Sequence, residues 1–105
     1  MSRSTPEVLC DALTHFELML EYAANDLSSQ LVIDAVCMRL SAGLESLNRL
    51  DPEALNELFG ANWQLMWGMR NRIAHGYLLV DASIVRRTLE HDIPPIIARI
   101  KEKLD

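Results

Sequence analysis

Five side chains able to do chemistry stand close together in the stretch MRNRIAHGY: Arg70, Asn71, Arg72, His75 and Tyr77. An imidazole can give or take a proton near neutral pH. A guanidinium offers a planar fork of donors suited to a phosphate. The stretch closes what reads as an apolar helix from Trp63 to His75, with Asn62 as its cap and Gly76 as its stop. At about 100° per residue, Trp63, Trp67, Arg70 and Ala74 share one seam, which Tyr77 joins if the helix reaches that far, and Met66, Met69 and Ile73 form a dry stripe. Gln64, Gly68, Asn71 and His75 make a polar face with a glycine that leaves room for a visitor. Asn71 and His75 share that face and Arg70 borders it, so a phosphate-sized object could touch all three. His75 lies in the last turn, where the negative end of the helix dipole favours imidazolium. A histidine before a stop glycine also serves simply to satisfy the last carbonyls, and arginines gather at helix C-termini for the same electrostatic reason. Spacing alone does not decide between these roles.

The elements that must hold this stretch all read as helices. No segment alternates with period two, so the expected fold is all-α. A first helix opens at Ser4 or Thr5, with Pro6 in its first turn, Glu7 placed for a capping box, and an apolar stripe through Leu9, Leu13, Phe16, Leu20, Ala23 and Leu27. A second starts near Ser28 or Ser29 and carries Val32, Val36, Leu40, Gly43, Leu47 and Leu50. DPEALNELFG is a short helix capped by Asp51 and stopped at Gly60. Asp81 or Ser83 opens a further helix to about His91. The prolines of IPP, residues 93 to 95, then break or kink the chain ahead of a terminal helix bearing Ile96, Ile97, Ile100 and Leu104. Four main helices with short additions, in one domain over residues 1–105, is the expected architecture.

Composition narrows the function. The chain has 105 residues, half of them hydrophobic, and no apolar run of membrane or signal-peptide type, so it reads as soluble and cytoplasmic. Cys10 and Cys37 lack ligand spacing and read as buried thiols, and no metal or cofactor is expected. A net charge of −5 argues against broad, non-specific nucleic-acid binding. Its distribution is uneven, because no carboxylate stands between Glu57 and Asp81 while Arg70, Arg72 and His75 all do. That predicts a local positive patch able to receive a phosphate. His15 and His91 stand alone and read as surface or boundary residues; Arg86 and Arg87 read either as an extension of the binding surface or as a solvated helix face.

RNRIAH has the R-x4-H pattern of the HEPN superfamily, and Arg70 to Tyr77 the longer R-x4-H-x-Y form of HepT-like toxins. WGMRNRIAHGYLLVDASIV followed by LEHDIPPI resembles the signature of that family, with a departure at Arg86, where relatives often carry tryptophan. The resemblance implies a HEPN-like bundle and a metal-independent endoribonuclease. It would be the toxin of a type VII toxin–antitoxin pair, acting as a homodimer on RNA. It further implies Arg70 and His75 as the catalytic pair, Asn71 as their polar companion, and Tyr77 as the residue adenylylated by a nucleotidyltransferase antitoxin; Arg72 would contact RNA. The 2′-hydroxyl would be the nucleophile, leaving 2′,3′-cyclic phosphate and 5′-hydroxyl ends. The alternatives are a catalytically silent HEPN dimer that scaffolds a nucleotidyltransferase and a plain helical adaptor that binds a protein through Trp63 and Trp67.

Overall fold

A capping box starts the first helix, α1 (Thr5–Ala23). Ser4 Oγ accepts from the Glu7 N–H at 3.3 Å and Glu7 returns the bond to the Ser4 N–H at 3.2 Å. The computed structural model describes residues 3–77 and 80–105; Met1 and Ser2 of the N-terminal stretch and Leu78 and Leu79 of the stretch after Tyr77 lie outside the described residues. Every element among the described residues is helical: α2 (Gln30–Leu47), α3 (Pro52–Phe59), α4 (Ala61–His75), α5 (Ala82–Arg87) and α6 (Ile93–Leu104). The fold is all-α. No helix of the described chain is long and apolar enough to cross a membrane.

α1 and α2 form an antiparallel hairpin with the largest interface in the molecule. Phe16 is completely buried at its centre, against Gly43. A Cβ at Gly43 would stand 2.4 Å from the Phe16 ring, so the glycine is what lets the two helices approach. Burying such a ring contributes about 1.5–3 kcal/mol. The buried face of α1 is Val8, Leu9, Ala12, Phe16 and Met19. Of the expected stripe, Leu9 and Phe16 are buried, Leu13, Ala23 and Leu27 partly so, and Leu20 remains 43% exposed. Apolar residues at 18, 19 and 20 point around the helix, so Met19 takes the inner place and Leu20 turns outward. The α2 stripe holds as expected, with Val32 only partly buried.

α3 begins where Asp51 accepts from the Ala54 N–H at 2.8 Å. Gly60, at φ 57°, takes the chain straight from α3 into α4. α4 therefore starts at Ala61 rather than at Trp63, and Asn62 lies inside it, not at its cap. Arg99 of α6 donates to the Leu58 carbonyl at 3.0 Å, fastening α6 to the end of α3. Asp81 caps α5 by accepting from the Ile84 N–H at 3.0 Å.

Of the break or kink expected at IPP, the break does not occur. α5 passes into α6 through a π-helical turn, Thr88–Asp92, in which the Ile93 N–H reaches back to the Thr88 carbonyl. The wider turn carries the chain into α6, where the prolines occupy the first turn and need no N–H donor. Ile93, Ile96 and Ile100 then face the core. One correction concerns the thiols: Cys37 is buried, but Cys10 is exposed.

Candidate functional site

α2 and α4 run antiparallel where they meet, and two carboxylates of α2 receive the two key side chains at the end of α4. Glu45 Oε1 accepts from Arg70 at Nε (3.0 Å) and Nη2 (2.7 Å). Asp34 Oδ1 accepts from the Tyr77 hydroxyl and from Gln30 at 2.7 Å. Within the expected positive patch, Glu45 thus offsets the charge of Arg70. It stands 25 residues away in sequence, so the carboxylate-free interval from Glu57 to Asp81 says nothing about it.

The guanidinium is fixed on three sides. Its carbon lies 4.9 Å from the centroid of the Trp67 ring, which stacks on Trp63 at 5.7 Å, and Trp63 stacks in turn on Phe59 at 6.0 Å. Nη1 donates to Asn71 Oδ1 at 3.3 Å. Of the five guanidinium N–H groups, Glu45 and Asn71 take three. The two left over, one on each terminal nitrogen, have no partner among the described residues and can receive an incoming anion. The Arg70 side chain keeps 24% of its surface exposed, so such an anion can reach it.

His75 is exposed in the last turn of α4, makes no side-chain hydrogen bond among the described residues, and does not meet Arg70. About 140° separates the two around the helix axis. The chain by itself thus brings together Arg70, Asn71, Trp67 and Glu45, with His75 on a neighbouring face beside Gln64 and Gly68. His75, Gln64 and Gly68, like Arg72, are exposed. The Gly76 N–H closes the helix on the Arg72 carbonyl at 2.8 Å, as its position predicts.

The Tyr77 ring packs against the core and its hydroxyl turns to Asp34 on α2. It is partly buried, and burial, followed by the bond to Asp34, holds its phenol well above the ordinary tyrosine range. Asp34 is held below the ordinary carboxylate range by the Tyr77 and Gln30 hydrogen bonds. The adjacent Cys37 thiol is pushed up to about 11, mainly by burial. Asp34, Cys37, Glu45 and Tyr77 line one open groove of about 470 Å³ between α2 and α4. Among the described residues no three of His, Cys, Asp and Glu are placed to hold a metal ion.

The helices that build this site also carry a family signature. Residues 9–102 match the model of the family described as Ribonuclease HepT-like. The chain belongs to that family. The match runs from α1 to α6 and includes Arg70, Asn71, His75 and Tyr77. Neither a curated protein nor a solved structure matches the chain. Membership of the HepT-like family supports an RNA-cleaving toxin of the HEPN type.

Sequence reasoning missed Glu45 and Asp34. One signal pointed to them: α2 has only three charged residues, Asp34, Arg39 and Glu45. Asp34 and Glu45 are eleven residues apart, about 20° on an ideal helix, and so share a face. Arg70 lies within α4 and Tyr77 two residues beyond its end, and each meets one of these carboxylates.

Proposed function

We propose that this chain is a metal-independent endoribonuclease, a single HEPN/HepT-like domain over residues 1–105 that acts as a homodimeric toxin. The observation that carries the reading is the Arg70 guanidinium, held by Glu45 and Trp67 with two N–H groups still free beside Asn71. RNA supplies its own nucleophile, the 2′-hydroxyl, so the protein has to move protons and stabilise charge. His75 takes the 2′-hydroxyl proton or protonates the departing 5′-oxygen. Arg70 meets the extra negative charge on the phosphorane, and Asn71 orients the phosphate. Glu45 is a positioning residue: it fixes the fork and touches no substrate.

Cleavage needs both an acid and a base, and one chain carries a single histidine in the R-x4-H stretch. A second copy related by a two-fold axis supplies the other. The open face of α2 fits that role, because Leu31 and Met38 stand 79% and 70% exposed on the helix that carries Asp34 and Glu45.

Tyr77 is the proposed switch. A nucleotidyltransferase antitoxin would transfer AMP from ATP to its hydroxyl: the phenolic oxygen bonds to the α-phosphorus, pyrophosphate leaves, and Asp34 is placed to receive the proton. The attached anion would fill the α2–α4 groove in front of Arg70. A second reading, a silent dimer that scaffolds the nucleotidyltransferase, draws on the same Arg70–Glu45 pair, since a neutralised arginine has less charge to offer a phosphate.

Expression in cells separates the two. The ribonuclease reading expects growth arrest and 2′,3′-cyclic phosphate ends in cellular RNA with the native chain, and neither with His75→Ala. Equal effects of both chains would support the scaffold. Mass spectrometry of the Tyr77 peptide after co-expression with the antitoxin tests the switch; full neutralisation with an unmodified peptide contradicts it.

A further inference from the structure

On the side of α4 away from Arg70, a groove of about 460 Å³ runs between α4 and the α5–π-turn segment, lined by Gln64, Leu65, Gly68, Arg72, Arg87 and Asp92 among others. Three observations single it out. First, neither Arg72 nor Arg87 makes an ion pair among the described residues, whereas Arg3, Arg70 and Arg99 each pair with a carboxylate. Arg72 and Arg87 outnumber Asp92 among the residues lining the groove, on a protein of net charge −5, and Asp81 stands close enough to Arg72 to be stabilised by its charge. Second, Gly68 weakens the middle of α4, yet a Cβ there would meet nothing within 4 Å, so packing does not require a glycine. What the missing side chain leaves is an open floor. Third, Leu65 stands 67% exposed at the rim, an apolar surface on which a base can rest.

His75 belongs to this side of the helix. It lies about 60° from Arg72 and about 20° from Gly68 around α4, far closer than to Arg70. We infer that this groove carries the RNA strand flanking the scissile linkage, with Arg72 and Arg87 each holding a backbone phosphate, Gly68 leaving room for the sugar, and Leu65 contacting a base. This rests on the ribonuclease reading and adds the path of the substrate to it. The scissile phosphate sits between the Arg70 and His75 faces, and the strand continues over Gly68 towards α5. Two phosphate contacts from one groove give a single strand modest affinity and a measurable dependence on salt.

The test uses the full chain and a fluorescein-labelled, 2′-O-methylated RNA 12-mer, which cannot be cleaved, with anisotropy read across a range of KCl concentrations. Arg72→Ala and Arg87→Ala are each expected to raise Kd several-fold and to flatten the salt slope by about 0.7, the share of one single-strand phosphate contact. Gly68→Leu, which suits a helix better and whose Cβ would meet nothing within 4 Å, is expected to raise Kd about tenfold without lowering Tm. Arg86→Ala, an equal change in charge on an exposed residue outside the groove, should move Kd less than twofold. On cleavable RNA, the groove variants lose kcat/KM through KM. If the native chain cleaves RNA but these variants bind within twofold of it and keep its salt slope, the groove is not the path, and the ribonuclease reading stands. Unchanged RNA binding together with loss of the nucleotidyltransferase from co-purification would assign the groove to that protein and overturn the inference. A native chain that neither binds nor cleaves RNA overturns both.

Discussion

Arg70→Lys isolates what the shape of the guanidinium contributes, because lysine keeps the charge and loses the fork. The arginine donates twice to Glu45 and once to Asn71 and lies 4.9 Å over Trp67. Its side chain is 24% exposed and that of Glu45 51% exposed, so solvent screens the pair and its worth to stability falls in the range of about 0.2–1 kcal/mol. Stacking on Trp67 adds about 0.5–1 kcal/mol, part of which an ammonium retains. The expected loss of stability is therefore about 1 kcal/mol, or about 4–8 °C in Tm for a domain of this size. Against a typical stability of about 5–15 kcal/mol, nearly all of the variant stays folded at 25 °C. The effect on catalysis is larger. Loss of a preorganised donor at a developing charge costs about 10²–10³ in kcat, or about 2.7–4 kcal/mol. Steady-state cleavage of a quenched fluorescent RNA, paired with a circular-dichroism melt, reads both effects on one sample. An Arg70→Lys protein that melts normally yet keeps activity within about threefold would show that charge alone suffices, and the argument from the clamp would fail.

Glu45→Gln should lower kcat about tenfold without raising KM, since the substitution loosens the fork and removes a negative charge from the phosphate's approach; a raised KM with unchanged kcat would show that Glu45 acts in binding instead. Gly43→Ala should cost about 1–3 kcal/mol, because its Cβ would stand 2.4 Å from the Phe16 ring, and a thermal melt that leaves Tm unchanged would contradict the close approach of α1 and α2. His15 carries the expected pH dependence. Arg39 can only donate, so Nδ1 of His15 accepts at 3.2 Å and the neutral ring is favoured; burial, then Arg39, lowers the pKa from 6.5. Below 6.5 the unfolded chain binds a proton that the folded chain resists, so stability falls as pH drops from about 7 towards the lowered folded value, and His15→Gln should flatten that part of the profile in urea titrations.

Local signals were legible in the sequence wherever a helix end satisfies its own backbone. Ser4 with Glu7, Asp51 with Pro52, Asp81 before Ile84 and Gly76 after His75 each act within a few residues, and each holds in the structure. Signals that depend on packing were not. α1 is apolar at three successive positions, so periodicity could not choose between Met19 and Leu20. Asn62 looks like a cap only while Gly60 is credited to α3 alone; the same glycine starts α4 as well. IPP reads as a break because a proline lacks an N–H, and the π-helical turn avoids the penalty by placing the prolines in the first turn of the next helix. In the site, Arg70, Asn71, His75 and Tyr77 were visible as a spaced motif. Glu45 and Asp34 come from 25 and 43 residues away, and only the antiparallel packing of α2 on α4 brings them in.

We propose that Arg70 and His75 cleave RNA by internal attack of the 2′-hydroxyl. End analysis tests it most directly: purified native chain and His75→Ala are incubated with single-stranded RNA in EDTA, and the termini of the fragments are identified by mass spectrometry. The account predicts 2′,3′-cyclic phosphate and 5′-hydroxyl ends from the native chain and intact RNA from the variant. Fragments ending in 3′-hydroxyl groups, or equal cleavage by His75→Ala, would contradict it.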